Sequence, residues 1–491
     1  AVKKMYFQEP FADLWRLRYI VIIRMTQGGA SRFPAKFGLK EVIKEKNSMM
    51  NRIIKTAVCM TAVAAMSVGT LAACGSSDSG SDAKGKVYYL NYKPEINDAW
   101  KALAKKYTEK TGVEVKVETA ASGTYQQTLK SEFAKSEAPT LFQLSGVAEY
   151  QTWKAYTSDM SDTEPYKQLK DKSMVLKDGD SVGGVPYVVE AYGLIYNKDL
   201  LAKYIATDGA KIKSADDIDN FDTLKAVADD IQAKKDQLGV KGAFTSAGFD
   251  SSSDWRFKSL LANNPLYFEF RDDNVTEQPE SIKGTYLPQF KQIFDLYLED
   301  STCPKSQVSS KTGDDANSEF ALGEAVFYEN GTWAWPDLQK AGVKAESVGM
   351  TPIYMGVEGE ENQGLDVNSE AYWCINSKAS DADKKATKDF LKWVITDQAG
   401  IDAISNDMGL TTPFKSFEDV KSDNPLVQAE VAYQDSGKEA VSTRPNGMFP
   451  SDEWKNQLGS ALLEYAQGTG DWNAVKKAFV DNWKTEYDAT H

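Results

Sequence analysis

Hydrophobic and polar positions recur along this chain with two periods, one of two residues and one of between three and four. Residues 87–92, VYYLNY, read as a strand, and VEVKVE at 113–118 alternates strictly, as a strand with one buried face does. Between them, residues 97–111 place Trp100, Leu103 and Tyr107 on one stripe and Lys105, Lys106 and Glu109 outside it. That spacing predicts an amphipathic helix, and Gly112 stops it. Strand, helix, strand is the unit from which parallel sheets are built. The pattern continues with a helix over 125–136, a strand over 139–144 and a helix over 148–158 that contains Trp153.

Residues 185–201, VPYVVEAYGLIYNKDLL, are the stretch around which the rest is organised. Val, Tyr and Ile predict a strand that leaves through an Asn-Lys-Asp turn. An ionised carboxylate inside such a run is costly to bury without a polar partner. Glu190 therefore lies on a solvated face, pairs in a salt bridge, or meets a hydroxylated ligand; the last is the preferred reading. Helices follow over 222–235, 255–262, 287–299, 382–397, 453–467 and 472–487, with one more ending at 319–323. Short strands are expected near 242–246, 325–328, 347–352 and 371–376, and there is no internal repeat.

Charge and composition narrow the chemistry. The chain has 491 residues, enough for two or three domains, and a net charge of −14, which argues against a nucleic-acid partner. Its one histidine is His491, so His-based triads, His-ligated zinc and His acid–base catalysis are set aside. No metal or cofactor is expected. Residues 51–55, NRIIK, are basic; an apolar run of small residues spans 56–71; Leu71-Ala72-Ala73-Cys74 closes it before a polar GSSDSGSDAKG. This is the layout of a secretory signal over 50–73, and the run is shorter than the roughly 20 residues a membrane span needs. The Leu-Ala-Ala-Cys end resembles a bacterial lipobox, which implies a lipid on Cys74, anchorage at the outer face of the cytoplasmic membrane, and a flexible leash over 74–86. Residues 1–49 are read as upstream sequence from a misplaced start, with Met49 or Met50 as the true one; a second membrane-seeking segment in LWRLRYIVIIRM is the alternative.

The succession YGLIYNKDLL, ALGEAVFYENGTWAW and AYWCINSKASDADKKATKDFLKWVITDQAG resembles the extracellular solute-binding proteins of carbohydrate ABC importers, the maltose-binding type. The likeness runs over most of 87–487 with the landmarks in order. It implies an α/β, two-lobed periplasmic-binding-protein-like fold with a hinge and an interlobe ligand cleft. Lobe 1 would comprise 87–190 and 366–411, and lobe 2 191–352 and 413–491, with crossings near 189–193, 352–366 and 411–413. The implied function is capture of a sugar, an oligosaccharide, by a monomer that delivers it to the transmembrane subunits of an ABC permease without catalysis.

The resemblance also assigns residues. Glu190 matches an acid that accepts sugar hydroxyls, an acceptor-only role suited to a carboxylate. Trp333 matches the aromatic after Asn-Gly that stacks on a pyranose face, where an indole buries the C–H-rich side and leaves the polar rim free. Trp454 falls near a second stacking position. Tyr92, Lys93 and Glu95 fall where polar contacts of the first lobe occur, and the loop 249–255, with Asp250 and Trp255, corresponds to an aromatic-bearing loop of the second. One departure concerns Ser145-Gly146-Val147, which stands where the maltose-binding type has Asp-Arg; loss of that polar clamp argues against maltose itself. Trp335, Trp373 and Trp393 fit core stripes. Cys303 and Cys374 fall in different lobes and are expected as free, buried thiols. Three rival readings stay open: the same fold with a peptide, polyamine or other polar solute; a glycan-binding adhesin with no importer; and an exported glycoside hydrolase, which needs two opposed carboxylates.

Overall fold

The computed structural model describes residues 84–490 apart from 121–122, 247, 251, 370 and 444–446. The signal segment, Cys74 and the start of the leash lie outside the described residues. The strands form two six-stranded sheets. In the first, the order is β2 (Val115–Thr119), β1 (Val87–Asn91), β3 (Leu141–Leu144), β11 (Tyr372–Ile375), β5 (Ser181–Pro186) and β4 (Leu176–Asp178). In the second it is β12 (Glu439–Ser442), β10 (Gln363–Asn368), β6 (Glu190–Asn197), β8 (Ala325–Gly331) and β7 (Gly242–Phe244), with β9 (Val348–Thr351) also paired to β6.

The sequence patterns follow from position in these sheets. β1 lies between two parallel neighbours and all of VYYLN is buried, whereas β2 is an edge strand and alternates. The helix Asn97–Thr111 buries Trp100, Leu103 and Tyr107 against β1 and ends at Gly112, whose φ of 71° is the left-handed conformation glycine adopts without penalty. Trp100 meets the edges of Tyr89 and Trp373 at 5.0 and 6.1 Å. The second sheet is covered by the helices Phe221–Ala233 and Leu287–Glu299, which bury Leu224, Val227, Ile231, Phe290, Ile293 and Phe294. Each sheet has its own hydrophobic core, and Cys374 is buried on the first and Cys303 on the second, both free thiols.

Three passages join the two lobes, and the first two lie side by side, the first also against Thr411. Val189 N donates to Thr411 O at 2.8 Å, Tyr187 N to Ala371 O at 3.0 Å, and Ser369 Oγ to Val188 O at 3.2 Å. Several expectations are corrected here. The stretch 185–201 is not one strand: it comprises the end of β5, the passage 187–189, β6, and the start of the helix Lys198–Ile205. Its apolar pattern runs on unbroken because both strands and the passage are buried. Asn197 caps that helix, accepting from Leu200 N at 3.0 Å, so Asn-Lys-Asp begins a helix where a turn was expected. The second passage lies between β10 and β11, not at 352–366, because β10 pairs Asp366 with Tyr192 inside the second sheet. The third follows residue 420, later than 411–413, since Phe414, Phe417 and Val420 still pack on the first core and Leu426 is the next residue in a core of the second lobe.

Candidate ligand-binding site

The polar end of β1 meets the first passage. Asn91 brackets the turn after β1: its Nδ2 donates to Lys93 O at 2.7 Å and its Oδ1 accepts from Lys93 N at 3.2 Å. Tyr92 N donates to Gln143 Oε1 at 2.7 Å, and Gln143 Nε2 in turn donates to the Tyr187 hydroxyl. The backbone of Tyr92 and Lys93 is thereby held at the carboxyl ends of parallel strands, where open α/β sheets bind ligands. Lys93 Nζ lies 2.8 Å from both carboxylate oxygens of Glu190 and 3.6 Å from Glu95. Lys93 is contributed by lobe 1 and Glu190 opens β6, so this ion pair joins the two lobes beside the first passage.

The second lobe contributes the aromatic wall. β8 ends at Gly331, and Thr332–Ala334 makes a single 3₁₀ turn. A Cβ on Gly331 would lie 2.0 Å from the Trp333 ring, so only glycine lets the indole fold back over its own strand. Trp333 lies parallel to Tyr192 at 6.0 Å and against Trp255 at 5.9 Å. Lys93 Nζ sits 5.7 Å from the centres of both the Trp333 and Tyr92 rings. Tyr92, Lys93, Glu95, Glu190, Trp255 and Trp333 therefore form one connected cluster drawn from four segments of chain.

The electrostatics of the cluster follow from burial and pairing. Burial disfavours the charge on Lys93, but Glu190 and then Glu95 outweigh it and its pKa is raised. Glu95 is pushed up to about 7, chiefly by burial; Lys93 opposes the shift and Glu190 adds to it. Glu430, on the helix Pro425–Asp435, is pushed up to about 8 by burial and then by the charge of Glu190.

Two assigned residues stand elsewhere. Trp454 is fully buried in the core of the second lobe, its Nε1 donating to Phe479 O at 3.0 Å and its ring against Phe449, Phe479 and Trp483. It faces the inner stripe of the helix Asp452–Gln467 and offers no face to a ligand. The Asp250 carboxylate is taken up by its own loop, accepting from the hydroxyls of Ser252 and Ser253. Conversely, Tyr192 backs the Trp333 wall without having been singled out. Its signal was the strand period, which places Glu190, Tyr192 and Leu194 on one face. Glu430 had no signal in the sequence, because only the packing of its helix brings it to Glu190.

Two α/β lobes joined by three passages, with a cluster of acids and indoles where the lobes meet, define a two-lobed binding protein. The model of the bacterial extracellular solute-binding protein family matches residues 102–435, and the chain belongs to that family. Membership places it on the extracytoplasmic side; among the described residues no helix is long and apolar enough to cross a membrane. The fold is similar to that of a chitin oligosaccharide binding protein (TM-score 0.64, 18% identity, 82% of this chain and 98% of that one). It is also similar to RafE solved with raffinose (0.63, 18%, 82% and 99%) and to the GacH receptor of Streptomyces glaucescens GLA.O, solved unliganded and with acarbose (0.61, 16%, 83% and 100%).

Proposed function

We propose that this protein captures a sugar, an oligosaccharide, in the cleft between its lobes and delivers it to an ABC permease while a lipid on Cys74 tethers it to the membrane. The observation that carries the reading is the convergence of the Glu190 carboxylate and the Trp333 indole on one point, Lys93 Nζ. A carboxylate accepts hydroxyls and an indole stacks on a pyranose face, and a sugar presents both surfaces at once. Similarity to proteins described as binding chitin oligosaccharide, raffinose and acarbose supports the same class of ligand. Glu190, Trp333, Trp255 and Tyr92 contact the sugar in this reading, and Lys93 and Glu95 adjust as it enters. No bond is broken: Glu95 and Glu190 both address the same ammonium and do not oppose each other across a scissile bond.

The test is a thermal-shift panel of mono- and oligosaccharides with dipeptides and polyamines as controls, since a ligand that binds only the native state raises the midpoint. A shift for a sugar class, lost in Trp333→Ala and Glu190→Ala, is expected. A shift with polyamine or peptide alone would overturn the sugar assignment and keep the fold.

A further inference from the structure

Away from the cleft, the second lobe carries an open cavity of about 830 Å³ between β9, the start of the helix Lys198–Ile205 and the helix Pro425–Asp435. It is a different place from the candidate site. β6 runs from Glu190 at the hinge to Asn197, and the cavity meets its far end at Tyr196; six residue steps along the strand separate the two, on the order of 20 Å. The volume lies within the range of small-molecule sites, roughly 300–1,000 Å³.

The walls have a definite chemistry. Tyr196 and Tyr433 both line the cavity. The Tyr196 ring lies flat across β9 because position 349 is glycine: a Cβ there would come within 2.3 Å of that ring. Ala429 and Ala432 give the helix side a methyl-covered, flat surface. Thr351, 3% exposed, lies beneath the cavity with the Tyr354 and Tyr433 hydroxyls against its side chain, which fixes the Tyr433 ring at the wall. The rim carries Lys198 and Lys438 against Asp216 and Glu346, so it favours neither an anion nor a cation.

We propose that this cavity is a second saccharide site, which takes a mono- to trisaccharide between Tyr196 and Tyr433 with the Lys and acid side chains of the rim hydrogen-bonding its hydroxyls. Aromatic and methyl walls suit the C–H face of a sugar, donors and acceptors at the mouth suit its polar rim, and their balanced charge suits a neutral ligand.

The experiment uses saturation-transfer NMR with glucose, maltose and raffinose as probes and putrescine and glycylglycine as controls. In the Glu190→Ala/Trp333→Ala protein, whose cleft is disabled, saccharide signals persist at millimolar concentration. Adding Ala432→Trp, an exposed position that fills the cavity, weakens them at least tenfold, and Tyr433→Ala does the same. Should the cleft variant not fold, the intact protein titrated with sugar shows a second, weaker equivalent that Ala432→Trp alone removes. Absence of saccharide signal from the cleft-disabled protein, signal indifferent to Ala432→Trp, or signal with a control compound only overturns the proposal. The two readings fail separately, because Ala432→Trp leaves the thermal shift caused by cleft ligand intact.

Discussion

The boundary between the lobes and the interior of the second lobe bury the same kinds of side chain and use them differently. At the boundary, Lys93 is held between Glu190 and Glu95, and Trp333 stands beside them partly uncovered. Inside the second lobe, Asp366 is wholly buried beside the Asn264 amide, and Glu329 has one oxygen unpaired. Burial holds both of these carboxyls well above the ordinary range. Trp454 is sealed among Phe449, Phe479 and Trp483. The boundary keeps its charges by pairing them, which leaves groups that a ligand can re-pair; the interior removes charge by protonation, which leaves nothing to exchange. Residue type does not distinguish the two regions. Position relative to the passages does.

The two tryptophans give the largest contrast. Trp454→Ala should lower stability by about 3–5 kcal/mol in urea denaturation while the folded protein keeps its ligand affinity. Trp333→Ala should do the reverse, costing ligand about tenfold or more in titration calorimetry with a smaller loss of stability. Equal behaviour of the two would erase the distinction between wall and core. Next in size is Glu190→Ala, which leaves Lys93 with only the more distant Glu95; about 3 kcal/mol of stability should go, together with sugar binding. Recovery of stability in the Lys93→Met/Glu190→Ala double variant, without recovery of binding, would sharpen the point that the pair serves the ligand.

Titration separates the regions further. Acids whose folded pKa is raised bind more protons in the native state, so they stabilise it fully below the unfolded value near 4.5 and less as pH rises through the folded value. With Glu95 near 7 and Glu430 near 8, and with Glu329 and Asp366 shifted the same way, the thermal midpoint should fall as pH is raised from 4.5 to 8. Each proton given up contributes a slope of about 1.4 kcal/mol per pH unit. Glu430→Gln should flatten part of that decline, and an unchanged slope would show that Glu430 stays charged. Lys93, raised from 10.5, contributes its own loss only in alkali. The smallest effect is expected for Gly331→Ala, which must displace the Trp333 ring: a severalfold loss of affinity with stability lowered by about 1–2 kcal/mol. Full affinity in that variant would mean the indole has room to move.

Much of the fold was legible in local pattern. The helix Asn97–Thr111 matches its expected bounds, and the helix Leu287–Glu299 does too, because each has a strong apolar stripe and a clear stop. β10 and β12 were not legible: GLDV and EAVS carry too little alternation to mark strands, and they become strands by pairing with each other and with β6. Trp454 was misplaced for a related reason. A tryptophan one turn inside an amphipathic helix reads alike whether the stripe meets core or ligand, and only the packing of Trp483 and Phe479 over it decides.

Local chemistry thus determined, from the sequence alone, most of the helices and strands and that an acid in an apolar strand needs a partner; the placing of the two thiols in different lobes came from the family resemblance. Tertiary structure decided the partner. Lys93 and Glu190 are 97 residues apart and Trp333 lies a further 143 along, and no pattern within a window of a few turns records such a meeting. The two-sheet topology brings them together because β1 ends and β6 begins at the same passage, where the chain leaves one core and enters the other.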